Sequence, residues 1–315
     1  MGPSAKRAAL VIKVGGTAGL DYAAICQDVA DLIISGKRAV LVHGGSAEAS
    51  ALGAALGHEA RWLTSPSGFR WRYTDRATLE IFAMATNGKV NTLLVERLQA
   101  VGVDALGLCG LDGRLLQARR KDVVQSVENG KRRLVRDDFT GKVERVNVAL
   151  LNSLLDQGYT PVIAPLALGG AAEPFLPTNG IRRAGPGGAA AEPFVPTNGI
   201  RRAGPGGPAA EGQAVNVDAD RAAAMIAGAL SAATLVLLTA APGLMRAFPD
   251  ETTLIPRLRR EQWDEALAMA QGGMKKKVLG AREALEGGVG RVIIADGRVA
   301  HPIAAALAGR GTTFD

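Results

Sequence analysis

The strongest constraint on the fold is a short apolar strand that ends in two glycines and leads into a helix, a unit that occurs twice near the start of the chain. In the first unit the strand Leu10–Val14 ends at Gly15-Gly16, and the apolar spacing then predicts a helix over Tyr22–Ile34. In the second unit the strand Ala39–Val42 leads to Gly44-Gly45. Further strands are predicted at Thr160–Ala164, Thr234–Leu238 and Arg291–Ala295. Strands that alternate with helices are typical of a parallel sheet covered on both faces. The sequence therefore predicts an α/β fold, a three-layer αβα sandwich with a mainly parallel central sheet.

A basic segment between Arg114 and Arg145 departs from this pattern. Its centre, Glu128-Asn129-Gly130-Lys131, predicts a β-hairpin because Asn-Gly tolerates the positive φ angles of a two-residue turn. From Arg114 to Arg136 there are eight basic and two acidic residues, a net charge of about +6. This charge fits a solvated edge hairpin or an interaction surface, and both interpretations stay open.

A tandem repeat interrupts the chain at residues 172–207. The segment that begins at Ala172 recurs from Ala191, 19 residues later, with Val195 in place of Leu176. Its proline and glycine content disfavours helix and strand interiors. We interpret it as a duplication in a surface loop over 166–212, which divides the chain into an N-terminal half, 1–165 with the basic hairpin at about 114–145, and a C-terminal half, 213–315.

Gly15, Gly16, Gly44 and Gly45 are candidates for phosphate contacts. Without a Cβ, a glycine allows backbone N–H groups to approach anionic oxygens, and a following helix N-terminus adds partial positive charge. Lys13 lies just upstream in an otherwise apolar strand. Since lysine is seldom buried without a partner, it is either an edge residue that reaches water or a cation placed over a phosphate.

Two later segments hold further polar candidates. Asn216-Val217-Asp218-Ala219-Asp220 opens a predicted helix over Arg221–Leu230, and Asp218 suits the N-cap position. Gly272-Gly273 and Lys275-Lys276-Lys277 precede a helix that the apolar spacing places at Val278–Leu285. The three lysines fit a solvated patch or a contact with phosphate equally well.

Composition narrows the classes of function without choosing one. A net charge of +7 suits a nucleic acid, an acidic protein or an anionic ligand. No apolar run reaches the roughly 18 residues of a membrane helix, and Leu10–Val14 is too short for the core of a signal peptide. Cys26 and Cys109 lack metal spacing, so reduced cytoplasmic thiols are expected. No zinc site is expected from His43, His58 and His301.

Four motifs together resemble those of the amino acid kinase family, in order and over nearly the whole chain. They are Val11–Gly16, Val42–Gly45, Asn216–Asp220 and Gly273–Lys277. The resemblance implies a carbamate kinase-like fold, ATP with Mg²⁺, transfer of the γ-phosphate to a carboxylate, and a cytoplasmic homodimer. It also implies that the N-terminal half binds the acyl substrate and the C-terminal half binds the nucleotide.

Within the family, the chain resembles members that act in lysine biosynthesis on α-aminoadipate held by a small acidic carrier protein, LysW. This similarity is carried by Arg72–Phe82, Gly110–Arg114, Arg119-Arg120-Lys121, Glu128–Lys131 and Phe248–Glu251. It implies phosphorylation of the side-chain carboxylate of aminoadipate, with the basic hairpin attracting the acidic carrier. It implies neither nucleic acid nor membrane as a partner.

The resemblance also implies roles for individual residues. Lys13 and Lys277 would stabilise charge on the transferring phosphoryl group, and Asp220 would hold both lysines. Backbone donors to phosphate and substrate would come from Gly15, Gly16, Gly44 and Gly45. Asn216 would hydrogen-bond the substrate. The α-carboxylate of the substrate would bind an arginine. Counting forward from Gly68 favours Arg70, whereas counting back from the helix start at Thr74-Asp75 favours Arg72, which we prefer.

Other functions remain open at this stage. The nearest is an acetylglutamate kinase in arginine biosynthesis, acting on a free small molecule, or a kinase for LysW-bound glutamate. A more distant one is a non-catalytic basic protein that binds nucleic acid on the same scaffold. The chain departs from the family at Ala240-Ala241, where a polar residue is usual before Pro242-Gly243-Leu244.

Overall fold

A computed structural model describes residues 9–17, 19–120, 123–128, 130–170 and 212–315 of the chain. The predicted duplicated loop at 172–207 lies outside these ranges. The strands are β1 Leu10–Val14, β2 Ala39–His43, β3 Trp62–Thr64, β4 Arg70–Arg72, β5 Ala105–Gly110, β6 Leu116–Arg120, β7 Val124–Glu128, β8 Lys131–Val135, β9 Thr140–Val146, β10 Thr160–Gly169, β11 Gln213–Val217, β12 Thr234–Thr239, β13 Arg257–Leu258, β14 Arg291–Asp296 and β15 Thr312–Phe314.

The helices lie between these strands as the alternating pattern predicts. They are α1 Tyr22–Ile34, α2 Ser46–Ala55, α3 Arg76–Ala83, α4 Thr92–Ala100, α5 Val148–Asp156, α6 Ala219–Ala229, α7 Trp263–Met269, α8 Gly272–Glu286 and α9 Pro302–Leu307, with a π-helical segment at Met84–Asn91 between α3 and α4. Short 3₁₀ turns occur at Asp112–Arg114, Glu251–Thr253 and Arg260–Gln262.

A single mainly parallel sheet forms the centre of the described structure. Its strand order is β11-β9-β6-β10-β2-β1-β12-β14-β15-β13, with β5 also paired to β10. The parallel neighbours of β1 are β2 on one side and β12 on the other. The antiparallel pairs are β10–β11, β6–β9 and β14–β15. This sheet confirms the predicted fold class.

Strand β1 separates two apolar cores, because alternate residues of a strand face opposite sides of the sheet. Val11 packs in the core that includes helices α5 to α8, whereas Leu10, Ile12 and Val14 pack in the core with α1, α4 and α9. All five residues of β1 are buried. The αβα layering therefore follows from the alternation within this strand.

Two small hairpins stand apart from the main sheet. Strands β3 and β4 pair antiparallel, and so do β7 and β8. In the second hairpin Glu128 pairs with Lys131, so the predicted two-residue connection at Asn129-Gly130 is confirmed, although Asn129 itself is not among the described residues. Arg61 Nη2 lies 2.7 Å from Glu128 Oε1 and ties the basic hairpin β7–β8 to the chain beside β3.

One helix start was predicted wrongly. The apolar spacing placed the last long helix at Val278–Leu285, but α8 begins at Gly272. The first two turns contain Gly272, Gly273 and three lysines, which carry no apolar periodicity, so the pattern missed them. Lys275, Lys276 and Lys277 are consequently helical and point in different directions around the axis.

None of the helices in the described residues combines the length and apolar character needed to cross a membrane. Cys26 and Cys109 are both buried free thiols.

The two glycine turns contact each other through their backbones. A Cβ on Gly16 would lie 2.4 Å from Gly45 N, and one on Gly44 would lie 2.7 Å from Gly16 N. Gly44 N donates a hydrogen bond to Val14 O at 2.9 Å, and Ala47 N donates to Gly16 O at 3.1 Å. Neither turn can therefore accept a side chain without separating β1 from β2.

We expect Gly16→Ala to reduce the free energy of unfolding by about 3 kcal/mol or more, because the added methyl meets backbone atoms that cannot rotate away. Urea denaturation followed by circular dichroism measures the change. Gly88→Ala is the control, since a Cβ there meets nothing within 4 Å, and it should stay within about 1 kcal/mol of wild type. Equal stability of the two variants would contradict the close contact.

Candidate active site

A cleft of about 790 Å³ lies at the carboxyl ends of β1 and β2. Such ends are where ligands bind in parallel α/β sheets. Every residue predicted for the site lines this cleft: Lys13, Gly15, Gly16, Gly44, Gly45, Arg72, Asn216, Asp220 and Lys277. The four motifs, which span some 260 residues of sequence, thus meet at one place.

The centre of the cleft is a buried group of three charges, Lys13, Asp220 and Lys277. Lys13 Nζ lies 2.7 Å from Asp220 Oδ1, and Lys277 Nζ lies 3.2 Å from Asp220 Oδ2. Because Lys13 alternates with Ile12, it faces the same side of the sheet as Val11, where α6 and α8 pack. Asp220 thus contacts both lysines from the side of the sheet on which α6 and α8 lie.

The charges of Lys13, Asp220 and Lys277 do not sum to zero. Burial disfavours the Asp220 carboxylate, but the two ammonium groups outweigh it and hold the pKa of Asp220 well below its ordinary value. Burial lowers the pKa of Lys13, and the nearby Asp220 opposes that shift. Two ammonium groups face one carboxylate, so the buried group carries one surplus positive charge. A desolvated surplus charge is costly unless an anion joins it.

Helix α6 presents Asp220 in its first turn, because Asp218, two residues earlier, caps the helix N-terminus. Asp218 Oδ1 accepts hydrogen bonds from Asp220 N at 3.1 Å and Arg221 N at 3.2 Å, so the N-cap prediction is confirmed. A Cβ on Gly280 would lie 3.4 Å from Asp220 O, so α8 runs close to α6 here. Lys277, one turn before Gly280, consequently reaches Asp220, while Lys276 lies 3.3 Å from Asp218 Oδ2.

The glycine turns offer backbone donors toward the cleft. Among the described residues, the amides of Gly16 and Gly45 have no hydrogen-bond acceptor. Gly45 is also the N-cap of α2, whose N-terminus carries partial positive charge. Free amides at a helix N-terminus next to buried ammonium groups form a site suited to phosphate.

His43 supports the second glycine turn from behind the cleft. Its Nδ1 lies 2.9 Å from Gly44 O and its Nε2 lies 2.9 Å from Asn91 Nδ2, so a neutral ring donates to Gly44 O and accepts from Asn91. Asn91 also donates to Val162 O at 2.9 Å. Burial lowers the pKa of His43 to about 4. His43 thus holds the turn in place as a neutral side chain.

The two candidate arginines lie on one face of β4 but differ in burial. Arg72 is buried, and its Nη2 donates to Ser46 O at 2.8 Å, Ser46 Oγ at 3.0 Å and Ser50 Oγ at 2.7 Å. Arg70 is exposed, and both arginines line the cleft. Burial lowers the pKa of Arg72. The choice between them as carboxylate ligand stays a prediction.

Asn216 reaches the cleft from β11, next to the loop after β4. Its Nδ2 donates to Thr74 Oγ1 at 3.2 Å, and Thr74 Oγ1 donates to Arg72 O at 3.0 Å. The loop is fixed by buried Asp138, which accepts from Trp71 Nε1 at 2.7 Å and from Thr74 N at 3.2 Å. Asn216 and Arg72 are therefore parts of one hydrogen-bonded network.

The sequence reasoning missed an aromatic wall of the cleft. Trp62, Phe69 and Trp71 of the β3–β4 hairpin line it, as do Val124 and Gln125 of the basic hairpin. The sequence did contain a signal for this wall, because two of the three tryptophans in the chain, Trp62 and Trp71, fall within ten residues of each other. Both hairpins thus cover one end of the cleft.

Comparison with known proteins identifies a family. The sequence profile of the Amino acid kinase family matches residues 8–180 and 197–296. The chain is 47% identical to a LysW-aminoadipate kinase of Deinococcus radiodurans over 96% of this chain and 90% of that protein. A LysW-aminoadipate kinase of Thermus thermophilus is 45% identical over 96% and 98%. An acetylglutamate kinase of Desulfitobacterium hafniense is 33% identical over 97% and 90%.

Solved structures support the fold alone. An N-acetylglutamate synthase from Neisseria gonorrhoeae superposes with a TM-score of 0.69 at 24% identity; the match covers 98% of this chain but 59% of the synthase. A carbamate kinase from Giardia lamblia gives a TM-score of 0.58 at 17% identity over 99% of both chains. The carbamate kinase-like fold is thus confirmed.

We expect the buried His43 to make the protein sensitive to acid. The unfolded ring binds a proton below its ordinary pKa of 6.5, whereas the folded ring resists protonation until about pH 4. Stability is therefore lost as the pH falls from 6.5 to 4, by about 3 kcal/mol for this group. In His43→Gln the unfolding free energy should fall by about 3 kcal/mol less than in wild type between pH 6.5 and pH 4. Urea denaturation at each pH measures the difference. Parallel curves for variant and wild type would contradict the assignment.

Proposed function

The chain belongs to the amino acid kinase family, and from this membership and the geometry of its cleft we propose that it uses ATP to phosphorylate the side-chain carboxylate of LysW-bound α-aminoadipate. The observation that carries the phosphotransfer is the surplus positive charge at Lys13, Asp220 and Lys277. An anion that gains charge in the transition state is what such a buried group stabilises. The product is an acyl phosphate, formed in lysine biosynthesis.

In this proposal the cleft works by positioning and by neutralising charge. Lys13 and Lys277 lie on either side of the transferring phosphoryl group, and Asp220 fixes both ammonium groups. The amides of Gly16 and Gly45 donate to phosphate and acceptor oxygens. The amides of Gly15 and Gly44, which the sequence also predicted as donors, instead donate to Leu238 O at 3.1 Å and Val14 O at 2.9 Å and shape the turns. The γ-phosphorus–oxygen bond to ADP breaks as a carboxylate oxygen attacks in line, which is the geometry that phosphoryl transfer requires.

Magnesium fits this site as a partner of the nucleotide. Of the carboxylates that line the cleft in the described ranges, Asp220 binds two lysines and Asp218 caps α6 and pairs with Lys276. Mg²⁺ would therefore be held mainly by the ATP phosphates and water, and Asp218 is the cleft carboxylate that could contribute an oxygen. When bound, it neutralises part of the phosphate charge.

The acceptor end of the cleft supports a carrier-bound substrate. Strand β8 of the basic hairpin presents Lys131, Arg132, Arg133 and the apolar side chain of Leu134, which is 62% exposed. A basic surface with an exposed apolar residue beside the cleft suits docking of a small acidic protein. The relatives at 47% and 45% identity both bear the name LysW-aminoadipate kinase, which favours this acceptor over LysW-bound glutamate and over free N-acetylglutamate.

The same proposal includes the wider assignments from the sequence. Residues 1–165 bind the acyl substrate and residues 213–315 bind the nucleotide, in a homodimer of the cytoplasm. A non-catalytic protein that binds nucleic acid through its basic surface would not account for the buried lysines of the cleft.

We expect phosphorylation of LysW-bound aminoadipate with a kcat/KM at least about 100-fold above that for N-acetylglutamate. The measurement is ADP release, coupled to hydroxamate trapping of the acyl phosphate. Raising the salt concentration should reduce kcat/KM for the carrier-bound substrate but change it little for a free N-acyl amino acid, because exposed charges are screened. Preferential turnover of free N-acetylglutamate would replace the proposal with the acetylglutamate kinase function.

We expect Lys13→Ala to lower kcat by about 100-fold or more while changing KM less, because the lysine acts on charge that develops in the transition state. Steady-state kinetics with the carrier-bound substrate measure both constants. Lys89→Ala is the control: this exposed lysine pairs with Glu48 at 2.6 Å, away from the cleft. An unchanged kcat in folded Lys13→Ala protein would remove Lys13 from the mechanism.

A further inference from the structure

The peptide group between Gly44 and Gly45 is held from behind the cleft. This peptide is trans, so its carbonyl oxygen and its N–H point in opposite directions. Gly44 O lies 2.9 Å from His43 Nδ1, whereas the N–H of Gly45 has no acceptor among the described residues. The hydrogen bond that His43 donates to Gly44 O therefore turns the N–H of Gly45 away from His43 and toward the cleft, which Gly45 lines.

Asn91 determines which nitrogen of the His43 ring carries the proton. The Nδ2 of Asn91 can only donate, and it lies 2.9 Å from His43 Nε2. The same amide nitrogen donates to Val162 O at 2.9 Å, which fixes the orientation of the amide. His43 Nε2 must therefore accept, and the single proton of the neutral ring lies on Nδ1, opposite Gly44 O.

A π-helical segment brings Asn91 to this position. The segment Met84–Asn91 also contains Thr86, whose Cγ2 would lie 2.5 Å from a Cβ on Gly45. Hydrogen bonds in a π-helix join residues five apart, so Thr86 and Asn91 lie on one face. In an α-helix the two residues would be turned about 140° from each other. The second glycine turn is thus supported by one segment at two points, directly at Gly45 and through His43.

Burial leaves this arrangement without a substitute. His43 has no exposed surface and Asn91 is 6% exposed, so water does not replace either side chain. Gly107 of β5 allows Asn91 its place, because a Cβ on Gly107 would lie 2.2 Å from Asn91 Oδ1. Burial also lowers the pKa of His43 to about 4, which keeps the ring neutral at physiological pH.

The hydrogen bonds of these groups all run in one direction. Asn91 donates to His43, His43 donates to Gly44 O, and the N–H of Gly45 is left to donate to a ligand in the cleft. Donors in series polarise one another, which makes the last N–H a better partner for an anion. An N–H that is already oriented also needs no rearrangement as the reaction proceeds.

We propose, on the basis of the proposed function, that Asn91 and His43 are positioning residues that direct the N–H of Gly45 at the phosphoryl group during its transfer. Neither side chain touches the substrate. Asn91 acts through the tautomer of His43, and His43 acts through the peptide between Gly44 and Gly45. Their contribution falls on kcat rather than on KM, because an interaction that is tightest in the transition state lowers the barrier without tightening substrate binding.

The first test separates the donor at position 43 from the bulk of the ring. His43→Leu removes the proton that binds Gly44 O, whereas the side-chain amide of His43→Asn can place an N–H near the position of Nδ1. We expect His43→Leu to lower kcat for LysW-bound aminoadipate by about 10-fold or more, with KM changed by less than about 3-fold. His43→Asn should recover most of this loss. Circular dichroism establishes that each variant is folded under the assay conditions.

The second test compares Asn91→Leu with Asp28→Leu. Asp28 is also buried, accepts from Ile303 N at 2.7 Å and Ala304 N at 3.0 Å, and does not line the cleft. Both substitutions replace a buried polar side chain by leucine and remove hydrogen bonds to it. Asn91→Leu should lower kcat by about 5-fold or more, whereas Asp28→Leu should keep kcat within about 2-fold of wild type. In the His43→Leu background, Asn91→Leu should lower kcat no further, because both residues act on one peptide.

A spectroscopic measurement examines the relay without turnover. In protein labelled with ¹⁵N-histidine, the ring of His43 should carry its proton on Nδ1 and none on Nε2. In Asn91→Asp a carboxylate faces Nε2 and can only accept, so Nε2 should gain a proton. A wild-type ring with its proton on Nε2 overturns the proposal. So does an equal loss of kcat in His43→Asn and His43→Leu, or in Asn91→Leu and Asp28→Leu.

Failure of the proposed function is a separate result. It would be seen as an absence of phosphorylation of carrier-bound aminoadipate by the wild-type protein. The tautomer of His43 is still measured in that case, and the same comparison of kcat among the variants is made with free N-acetylglutamate, the acceptor of the alternative function.

Discussion

The ion group of Lys13, Asp220 and Lys277 is the interaction on which the rest of the cleft depends. Each residue comes from a different element, β1, α6 or α8, and the two distances to the Asp220 carboxylate fix how those elements meet. Removing the carboxylate would leave two like charges buried together, which is strongly destabilising. The same residue that joins the elements therefore sets the electrostatic potential of the site. Structural and chemical roles cannot be separated here.

The glycine turns add a geometric constraint to this electrostatic one. The backbones of Gly16 and Gly44 approach so closely that a Cβ on either would overlap the other turn. This contact aligns the ends of β1 and β2 and leaves amides of both turns available. His43 then fixes Gly44 through a ring that burial keeps neutral. The amides that we propose as phosphate donors are thus in place before any ligand binds, which limits the reorganisation that binding requires.

The sequence predicted the fold because periodicity and capping follow local rules, whereas the charged centre of Lys13, Asp220 and Lys277 was predicted only through the resemblance to a family. Strand and helix periodicity placed β1 and α1 at their observed bounds, and the capping preference of Asp218 marked the start of α6. The start of α8 was missed because Gly272 and three lysines have no apolar face. The aromatic wall at Trp62 was missed because its function arises only when β3 pairs with β4. A contact between Arg70 and Trp62 depends on tertiary register, which no local pattern encodes.

The protonation states around the cleft restrict the chemical class of the acceptor. An alcohol must lose a proton as it attacks phosphorus, and a general base has to lie within reach of it. Among the described residues that line the cleft, the carboxylates of Asp218 and Asp220 are both paired with lysines, and His43 lies behind the Gly44 turn. A carboxylate acceptor is already ionised at neutral pH and needs no base. The absence of a free base in this part of the chain and the arginines on β4 therefore favour the same acceptor, an anion that is positioned by cations at both of its ends.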